Sequence, residues 1–475
     1  MLELQIMKRE AHTKSVTVYL YNAIEDEWPF LQATSDKKTQ KIEINDCYEG
    51  AECFLYFNTE QNDLMYVTGK PISKEYIEYY QTFVGKKNVE IIVPLPKTGQ
   101  ISLDLLEDKK TFNQFIARLK SYDLITIKVY SASPQFYQLL DRLSELNLPL
   151  SAPEAPLPKN AWTVNFFGSK VGFRQLSQKY SGAGNLFPMP RGYICPSRDD
   201  AARIAAKIFT EKRGVVIKTS KGNEGNGVLI FFENDLPYSY AACTKKISEI
   251  LRMNAYWEKF PIVVEELIDV DKNIGGGFPS AEGRVTSGGK PEFLYYCVMR
   301  VTKKGAFYGV EIHNSLLDTH IGKQVTDITL KVAKEYAQEG YRGHFDVDFL
   351  VDKKGKIFAN ESNTRNNGSS DVAKLAVKFF GPNFPDKTYL ISSFRNITFT
   401  GSRTSVRFAE IVSFSTPILF SHTTKEGVMY NGAFILNNKE LFYTVFAPNK
   451  QAAYRYEKRM AEIFLGHDMI LTDPE

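Results

Sequence analysis

Residues 342–368 read RGHFDVDFLVDKKGKIFANESNTRNNG, a stretch in which two alternating apolar runs surround a short polar turn. The runs cover residues 345–351 and 356–362, and the DKKG sequence between them has the residue types that favour a tight turn. Alternating runs on both sides of such a turn are typical of an antiparallel hairpin. The sequence therefore predicts a β-hairpin over this stretch.

One face of this hairpin has the composition of a cation site. If the Lys-Gly pair of the turn is central, two cross-strand pairs follow, Asp348 with Glu361 and Asp346 with Asn363. Because side chains alternate with period two, Arg365 shares the face of these four. Carboxylates placed opposite each other repel, and a hard divalent ion such as Mg²⁺ takes oxygen ligands of this type. The alternative is a solvated acidic edge, and the features upstream favour the metal.

The composition is that of a folded protein with several domains. The chain has 475 residues, 43% hydrophobic and 24% charged, which predicts about two to four domains. A net charge of +4 gives no electrostatic basis for binding nucleic acid. The N-terminal residues lack the apolar segment of a signal peptide, and no run of about 18 uncharged apolar residues predicts a membrane span. Five cysteines without CxxC spacing fit reduced thiols, so we expect a cytoplasmic protein.

The first third of the chain alternates predicted strands with predicted helices. The strands cover residues 15–22, 52–57, 89–95 and 124–130. Strands that alternate with helices indicate parallel βαβ units. We therefore predict an open α/β domain over residues 1–155, in which no strand is followed by a GxGxxG fingerprint.

A glycine-rich turn joins two apolar, strand-like runs in the middle of the chain. It reads TSKGNEGNG and contains Gly222, Gly225 and Gly227, and the strand before it ends at Lys218. Because no helix follows, a Walker-type loop and a dinucleotide loop are both disfavoured. Glycine still lets backbone N–H groups approach phosphates, to which Lys218 would add a positive charge. Taken alone, the turn fits a plain glycine-rich hairpin better.

Farther along, an apolar strand over residues 261–269 contains the acidic pair Glu265-Glu266. Such a pair usually marks a strand end that meets solvent, and the functional alternative is a hinge that hydrogen-bonds an adenine amine. Arg300 lies in a later predicted hairpin, as a surface cation or as a clamp on a phosphate or carboxylate. A predicted helix over residues 326–340 then leads into the acidic hairpin.

The order of these features resembles the ATP-grasp superfamily. The resemblance covers residues 165–380, and its most specific element is the E-x-N-x-R sequence of Glu361, Asn363 and Arg365. This element is preceded, in the family's order and at family-like separations, by Lys170, Lys218, the glycine turn and the acidic strand end. The resemblance implies a multidomain α/β and α+β protein, with an N-terminal open α/β domain of the pre-ATP-grasp type followed by a two-subdomain ATP-grasp fold.

The resemblance also implies a role for each candidate residue. Contacts with the phosphates of ATP are implied for Lys170, Lys218, Gly222, Gly225 and Gly227. Adenine contacts are implied for Glu265 and for the backbone of Glu266, Leu267 and Ile268. Mg²⁺, for which Mn²⁺ can substitute, would be coordinated by Asp348, Glu361 and Asn363. Arg365 would steady the transferring phosphate, with Lys218 and Arg300 as further cations around its oxygens.

The resemblance divides the rest of the chain into three parts. A small subdomain with the glycine turn is expected over residues 156–265, a large subdomain with the metal site over 266–390, and a C-terminal α+β segment over 391–475. In this last segment we predict strands at 404–412 and 432–436. The segment and the NTRNNGSS sequence more loosely resemble peptide ligases of the pheganomycin type.

The implied activity is that of an ATP-dependent ligase. A carboxylate would attack the γ-phosphate of ATP to give an acyl-phosphate and ADP, and an amine would then displace phosphate to form an amide or peptide bond. The substrates would be a small carboxylic acid or amino acid and an amine acceptor, with neither nucleic acid nor a membrane as partner. Two alternatives stay open, a non-catalytic ATP-binding regulatory protein and a carboxylate–thiol ligase. The oligomeric state is also open, a homodimer included.

Overall fold

The chain folds into two units, each assembled from segments that are distant in sequence. The computed structural model describes residues 14–34, 36–85, 88–179, 184–222, 227–302, 305–433 and 439–474. The first unit comprises the described chain up to Glu25 together with Ile44–Pro158 and Asn367–Pro474. The second unit comprises Asp26–Glu43 and Lys159–Asn366.

The first unit contains a parallel sheet of five strands in the order β3-β2-β1-β4-β5. The strands are β1 (Ser15–Leu20), β2 (Asp63–Val67), β3 (Val89–Ile92), β4 (Leu124–Val129) and β5 (Leu150–Ser151). Strand β1 pairs with both β2 and β4, and all its residues after Ser15 are buried, as expected for a central strand that is covered on both faces. The predicted open α/β arrangement is confirmed.

The helices in this part of the chain are α1 (Ala23–Ala33), α2 (Lys37–Gly50), α3 (Lys74–Val84), α4 (Ile101–Glu107), α5 (Lys109–Leu119) and α6 (Pro134–Ser144). Helices α3, α5 and α6 follow Ser73, Asp108 and Ser133, whose side chains each accept a hydrogen bond from the backbone N–H three residues later. These caps satisfy N–H groups that have no partner inside the helix, and so they define where each helix begins.

The stretch at residues 52–57, which we predicted to be a strand, forms a 3₁₀ helix over Cys53–Phe57 instead. The side chains of Cys53, Leu55, Tyr56 and Phe57 are all buried. A short run of consecutive apolar residues carries no period, so the sequence alone does not distinguish a buried strand from a buried helical turn.

The first unit also contains antiparallel strands from the C-terminal part of the chain. They are β15 (Tyr389–Phe399), β16 (Gly427–Tyr430), β17 (Glu440–Ala447) and β18 (Met469–Thr472). Strand β15 pairs with β17 and β18, and β17 pairs with β16. The helices of this part are α13 (Ser370–Phe380), α14 (Phe408–Phe414) and α15 (Lys450–Leu465).

One strand prediction in this segment is wrong. Within residues 404–412 the chain forms helix α14, which begins at a capping box in which the Glu410 side chain accepts from the Arg407 N–H at 2.9 Å. An arginine at the cap position is outside the usual Ser/Thr pattern, so the start signal is weak in the sequence. The strand predicted at 432–436 stays a prediction, because residues 434–438 lie outside the described residues.

The second unit contains an antiparallel sheet of four strands in the order β6-β9-β7-β8. The strands are β6 (Gly192–Cys195), β7 (Val215–Thr219), β8 (Val228–Phe231) and β9 (Ile262–Glu266). Helices α9 (Arg198–Lys212) and α10 (Tyr240–Arg252) share one apolar core with this sheet, in which Phe209 and Ile247 of the helices are buried together with Ile217 and Val264 of the strands.

A second group of antiparallel strands in this unit has the order β14-β13-β10-β11-β12. The strands are β10 (Pro279–Val285), β11 (Pro291–Val301), β12 (Phe307–Ile312), β13 (Gly343–Val351) and β14 (Ile357–Asn363). The remaining helices of the unit are α7 (Trp162–Phe167), α8 (Lys170–Ser177), α11 (Tyr256–Lys259) and α12 (His320–Gln338). Strand β13 is buried along almost its whole length, which places the acidic hairpin in the interior.

Helix α12 begins earlier than the predicted 326–340, because Thr319 caps it by accepting a hydrogen bond from the Gly322 N–H at 3.1 Å. A glycine inside the first turn lowers the helical propensity there, which obscured the start. None of the helices that the structure describes is both long and apolar enough to cross a membrane.

Candidate functional site

The acidic end of the β13–β14 hairpin has the predicted register. Asp346 pairs with Asn363 and Asp348 pairs with Glu361, so this prediction is confirmed. Since directly paired residues of antiparallel strands lie on the same face, the two pairs form a patch of carboxylate and amide side chains.

Next to the turn, the strands pair in a register that differs by one residue from the predicted one. A β-bulge separates this register from that of the acidic end. The extra residue is Asn360, immediately before Glu361 on β14. Lys218 Nζ donates to Asn360 Oδ1 at 2.7 Å, and Lys170 Nζ lies 3.0 Å from Glu361 Oε2. The bulge thus allows two consecutive residues of one strand each to contact a lysine, whereas regular alternation would point them to opposite faces.

The carboxylates of this patch differ in their proton affinity. Burial, followed by the neighbouring Glu282, raises the pKa of Asp346 to about 7. Burial also raises the pKa of Asp348 well above its ordinary value, and repulsion from Asp346 and Glu361 adds to the effect. At Glu361 burial would raise the pKa as well, but the nearby lysines outweigh it and lower the pKa. At Asp348 the neighbouring carboxylates thus add to the effect of burial, and a bound cation would offset their charge.

Asn363 is oriented by Asp346. Its backbone N–H and its side-chain Nδ2 both donate to Asp346 Oδ1 at 2.9 Å. Because the amide nitrogen is engaged in this way, the carbonyl oxygen of the Asn363 side chain is the atom that can face a cation. Asp346 therefore acts on the patch by holding Asn363.

Lys170 is the first residue of α8 and follows the cap residue Ser169, whose Oγ accepts from the Gly172 N–H at 2.9 Å. The loop before it approaches the end of β14 closely. A Cβ atom at Gly168 would lie 2.4 Å from Thr364 Oγ1, so only glycine allows this approach. The GSK sequence thus positions the Lys170 ammonium beside the acidic patch.

The second lysine, Lys218, is buried on β7 as part of an ionic triad. Its Nζ lies 2.6 Å from one carboxylate oxygen of Glu265, and the other oxygen contacts Arg174 Nη2. Burial would raise the pKa of Glu265, but Lys218 and Arg174 outweigh it and lower the pKa. Arg174 is in turn held by Pro190, whose carbonyl accepts from Nη2 at 3.0 Å. The Glu265 carboxylate therefore has partners other than the predicted adenine amine, and it positions Lys218.

The other predicted hinge residues lie where β9 ends. Glu266 is its last residue, and the Glu266 side chain accepts a hydrogen bond from the Arg191 N–H at 3.0 Å. Leu267 and Ile268 follow outside the strand. The Leu267 side chain packs closely on Gly214. A Cβ atom at Gly214 would lie 2.8 Å from Leu267 Cδ2. The adenine contacts of these residues stay a prediction.

The glycine turn is described at its two ends. Gly222 lines a cavity at the acidic patch. Gly227 has φ +81°, and a Cβ atom there would lie 2.2 Å from Thr219 Cγ2, so both the backbone conformation and the space require glycine. Its carbonyl accepts from the Thr219 N–H at 2.8 Å, which closes the turn. Gly225 lies outside the described residues.

The two predicted arginines occupy different places. Arg365 lines the cavity, and its Nε donates to Asp26 Oδ2 at 3.1 Å. Arg300 does not belong to the cavity lining, and its Nε donates to Glu311 Oε1 at 3.0 Å within the β11–β12 pair. The structure therefore brings Arg365 to the acidic patch, while the predicted clamp role of Arg300 stays a prediction.

The cavity lies within the second unit and collects side chains from four parts of the chain. Its lining consists of Asp26, Glu27, Gly168, Lys170, Ser220, Lys221, Gly222, Glu361, Ser362, Asn363 and Arg365. Sequence reasoning missed Asp26 and Glu27, because 339 positions separate Asp26 from its partner Arg365 and no pattern connects them. Lys221 could have been noticed as a cation inside the glycine turn; burial lowers its pKa.

The residues of the patch suit a magnesium ion. Within the described part of the chain, no group of three His, Cys, Asp or Glu side chains is arranged to hold a metal. The predicted set instead consists of two carboxylates, Asp348 and Glu361, and the amide oxygen of Asn363. Mg²⁺ is commonly bound by one or two carboxylates with substrate phosphates in the remaining positions. The repulsion among carboxylates at Asp348 and these hard oxygen donors fit such an ion.

Comparisons with known proteins give matches among solved structures alone. No protein-family model and no curated protein matches the chain. Biotin carboxylase from Campylobacter jejuni, in a β-γ-ATP complex, is 12% identical with a TM-score of 0.58, covering 98% of this chain and 93% of that one. The biotin carboxylase domain dimer of Hydrogenobacter thermophilus 2-oxoglutarate carboxylase, complexed with MgADP, ADP and bicarbonate, is 11% identical with a TM-score of 0.54, covering 97% and 91%.

A third structure is N5-carboxyaminoimidazole synthase from Aspergillus clavatus, complexed with ADP and 5-aminoimidazole ribonucleotide. It is 12% identical with a TM-score of 0.52, covering 95% of this chain and 98% of that one. All three are ATP-grasp enzymes, and at these identities the likeness concerns the fold. Since it extends over nearly the whole length of both chains, this protein has the ATP-grasp fold.

Proposed function

We propose that this protein is an ATP- and Mg²⁺-dependent carboxylate–amine ligase. It would activate a carboxylic acid as an acyl-phosphate with release of ADP. It would then join the acyl group to an amine with release of phosphate, forming an amide or peptide bond. The ATP-grasp fold supports ATP-dependent ligation in general, and the cavity residues support the more specific chemistry.

The observation that carries the proposal is the meeting of Glu361, Asn363 and Arg365 with Lys170 and the glycine turn at one cavity. Phosphoryl transfer asks little covalent chemistry of a protein, because catalysis consists mainly of positioning and of neutralising charge. Cations and backbone N–H groups gathered around acidic metal ligands meet this need. Among the described residues that line the cavity there is neither a cysteine nor a histidine, and the reaction requires no side-chain nucleophile.

In the first step, an oxygen of the substrate carboxylate attacks the γ-phosphorus of ATP, and the bond from this phosphorus to the β,γ-bridging oxygen breaks. Lys170 and Lys218 would neutralise phosphate oxygens, and the guanidinium of Arg365 would hold the acyl-phosphate that forms. The glycine turn around Gly222 would cover the phosphates and exclude water, which protects the acyl-phosphate from hydrolysis. In the second step, the amine nitrogen attacks the acyl carbon and phosphate leaves.

Asp348, Glu361 and Asn363 would hold Mg²⁺ or Mn²⁺, which when bound neutralises oxygens of the triphosphate. Asp346 would keep the Asn363 amide turned for this task. Glu265 would serve by holding Lys218 in place, while the adenine contacts would come from the backbone that follows Glu266.

The remaining features of the proposal rest on the resemblance. They are the pheganomycin-type peptide ligase subtype and a division into residues 1–155, 156–265, 266–390 and 391–475. A cytoplasmic location is part of the proposal, and the absence of disulfides among all five cysteines is compatible with it.

Hydroxylamine trapping tests the proposed function, because hydroxylamine converts an acyl-phosphate into a stable hydroxamate. The protein is incubated with ATP, Mg²⁺, hydroxylamine and a panel of amino acids and small carboxylic acids. We expect ADP and hydroxamate in equal amounts with at least one acid. Glu361→Gln should abolish both products with an unchanged circular dichroism spectrum, while Asp327→Asn, on the exposed side of α12, should behave like the wild type.

Two results would decide for the alternatives. Measurable ATP binding without ADP formation for any acid would refute the ligase and favour a non-catalytic ATP-binding protein. ADP formation with transfer of the acyl group to pantetheine, and to no amine, would identify a carboxylate–thiol ligase.

A further inference from the structure

Asp26, in the first half of α1, forms an ion pair inside the candidate active site. Its Oδ2 lies 3.1 Å from Arg365 Nε, and the two side chains are 16% and 18% exposed. Both residues line the cavity and both belong to the second unit. Arg365 Nη1 also donates to the Asn366 carbonyl at 3.2 Å, so the guanidinium is held from two directions.

This position brings a carboxylate next to the reacting group. The proposed function assigns Arg365 to the acyl-phosphate, and hydrogen-bond geometry limits the distance between the guanidinium and the oxygens that it binds. A carboxylate that touches the same guanidinium therefore lies on the side of the cavity where the acyl-phosphate would form, and the acceptor amine must reach this acyl group.

The charges around the cavity are compatible with an ammonium ion beside Asp26. Equal numbers of cationic and acidic side chains line it, namely Lys170, Lys221 and Arg365 against Asp26, Glu27 and Glu361. Glu361 belongs to the predicted metal set, and a bound nucleotide with an acyl-phosphate adds further negative charge. Each carboxylate oxygen can accept more than one hydrogen bond, so Asp26 can hold an ammonium ion while it keeps its contact with Arg365.

We propose that Asp26 binds the protonated amine of the acceptor and takes its proton when the amine attacks. This inference rests on the proposed ligase function and deepens it, since it specifies an acceptor that arrives as an ammonium ion. The nitrogen forms a bond to the acyl carbon, the bond from that carbon to the phosphate oxygen breaks, and the electron pair leaves with phosphate. Of the two protons that the ammonium nitrogen loses, one goes to Asp26 and the other leaves with the hydrogen phosphate.

The test compares two acceptors with one substitution. Asp26→Asn keeps an oxygen that can accept from Arg365 Nε, but it removes the charge and the basicity. Hydroxylamine is mostly neutral near neutral pH and needs no proton acceptor before it attacks, whereas the amines of free amino acids are mostly protonated. Each variant is assayed for hydroxamate with hydroxylamine and for amide with the amino-acid panel, using an acid that gives hydroxamate with the wild type. Asp327→Asn is the matched control, since it makes the same chemical change at an exposed position away from the cavity.

We expect Asp26→Asn to lower amide formation on the order of 100-fold more than it lowers hydroxamate formation, as for removal of a general base. Amide formation by the variant should recover as the pH is raised, because the fraction of neutral amine grows. An equal loss with both acceptors would overturn the inference, because Asp26 would then only position Arg365. No loss with either acceptor, or acyl transfer to pantetheine and to no amine, would also overturn it. Absence of hydroxamate from the wild type with every acid would instead refute the ligase function itself.

Discussion

The contact between Lys170 and Glu361 predicts how the protein binds metal in the absence of nucleotide. Lys170 Nζ lies 3.0 Å from Glu361 Oε2, and the two side chains are 16% and 28% exposed. The ammonium thus occupies an oxygen of the carboxylate that would coordinate the metal. A divalent ion must displace it, so replacing Lys170 by methionine should strengthen metal binding to the nucleotide-free protein.

The size of the effect follows from the contact that is removed. A hydrogen bond between charged groups contributes about 1.5–3 kcal/mol, and partial exposure of both partners places this contact near 1.5 kcal/mol. Since about 1.4 kcal/mol corresponds to tenfold in affinity, Lys170→Met should tighten Mn²⁺ binding roughly tenfold. Removing the repulsion between the ammonium and the metal acts in the same direction. ATP binding should change in the opposite direction, because a cation for its phosphates is lost.

Mn²⁺ titrations followed by the electron paramagnetic resonance signal of the free ion would measure the first effect, and calorimetry with ATP the second. Lys290→Met is the control, since Lys290 is 76% exposed in its pair with Glu292, away from the cavity. Mn²⁺ affinity that stays the same or falls in Lys170→Met would refute the reasoning, whatever happens to ATP.

Two further predictions concern Lys218 and Asp371. Lys218→Ala should weaken ATP binding more than AMP binding in calorimetry, since Lys218 is proposed to face the phosphates and not the base; equal weakening would contradict that role. Burial raises the pKa of Asp371 to about 7, so the folded state binds a proton that the unfolded state releases at lower pH. Stability should therefore fall as the pH rises between about 4 and 7, and Asp371→Asn should be more stable than the wild type above this window by up to roughly 4 kcal/mol. Unfolding midpoints of the two proteins that differ equally at pH 4 and pH 8 would contradict this assignment.

The sequence is most informative where a periodic pattern coincides with burial. The acidic end of the β13–β14 hairpin could be predicted down to the pairing of Asp348 with Glu361, although the pairing next to the turn differs from the predicted register by one residue. In the parallel sheet, β1, β3 and β4 were predicted, whereas β2, which pairs with β1, was not. By contrast, the consecutive apolar residues of Cys53–Phe57 carry no period, and they fold as a 3₁₀ helix.

Contacts between residues that are far apart in sequence could not be predicted from local sequence patterns. Nothing in the residues around Asp26 points to Arg365, which lies 339 positions away. The buried triad of Lys218, Glu265 and Arg174 has the same origin: each residue lies on a different element, and the pairing depends on how β7, β9 and α8 pack together. An acidic residue at the end of an apolar strand looks exposed from the sequence, whereas Glu265 is 2% exposed because two cations accompany it.

The bulge at Asn360 shows how a correct register can follow from an incomplete premise. A regular hairpin centred on the Lys-Gly pair would bring Asp348 opposite Glu361. The observed hairpin would also do so if Asn360, the bulge residue, were removed. The cross-strand pair therefore does not require the extra residue. What the extra residue adds is the amide that accepts from Lys218 at 2.7 Å, directly beside the carboxylate that contacts Lys170. Lys218 and Lys170 are thus held by two consecutive residues of β14. We expect the phosphates of a bound nucleotide to replace these two contacts.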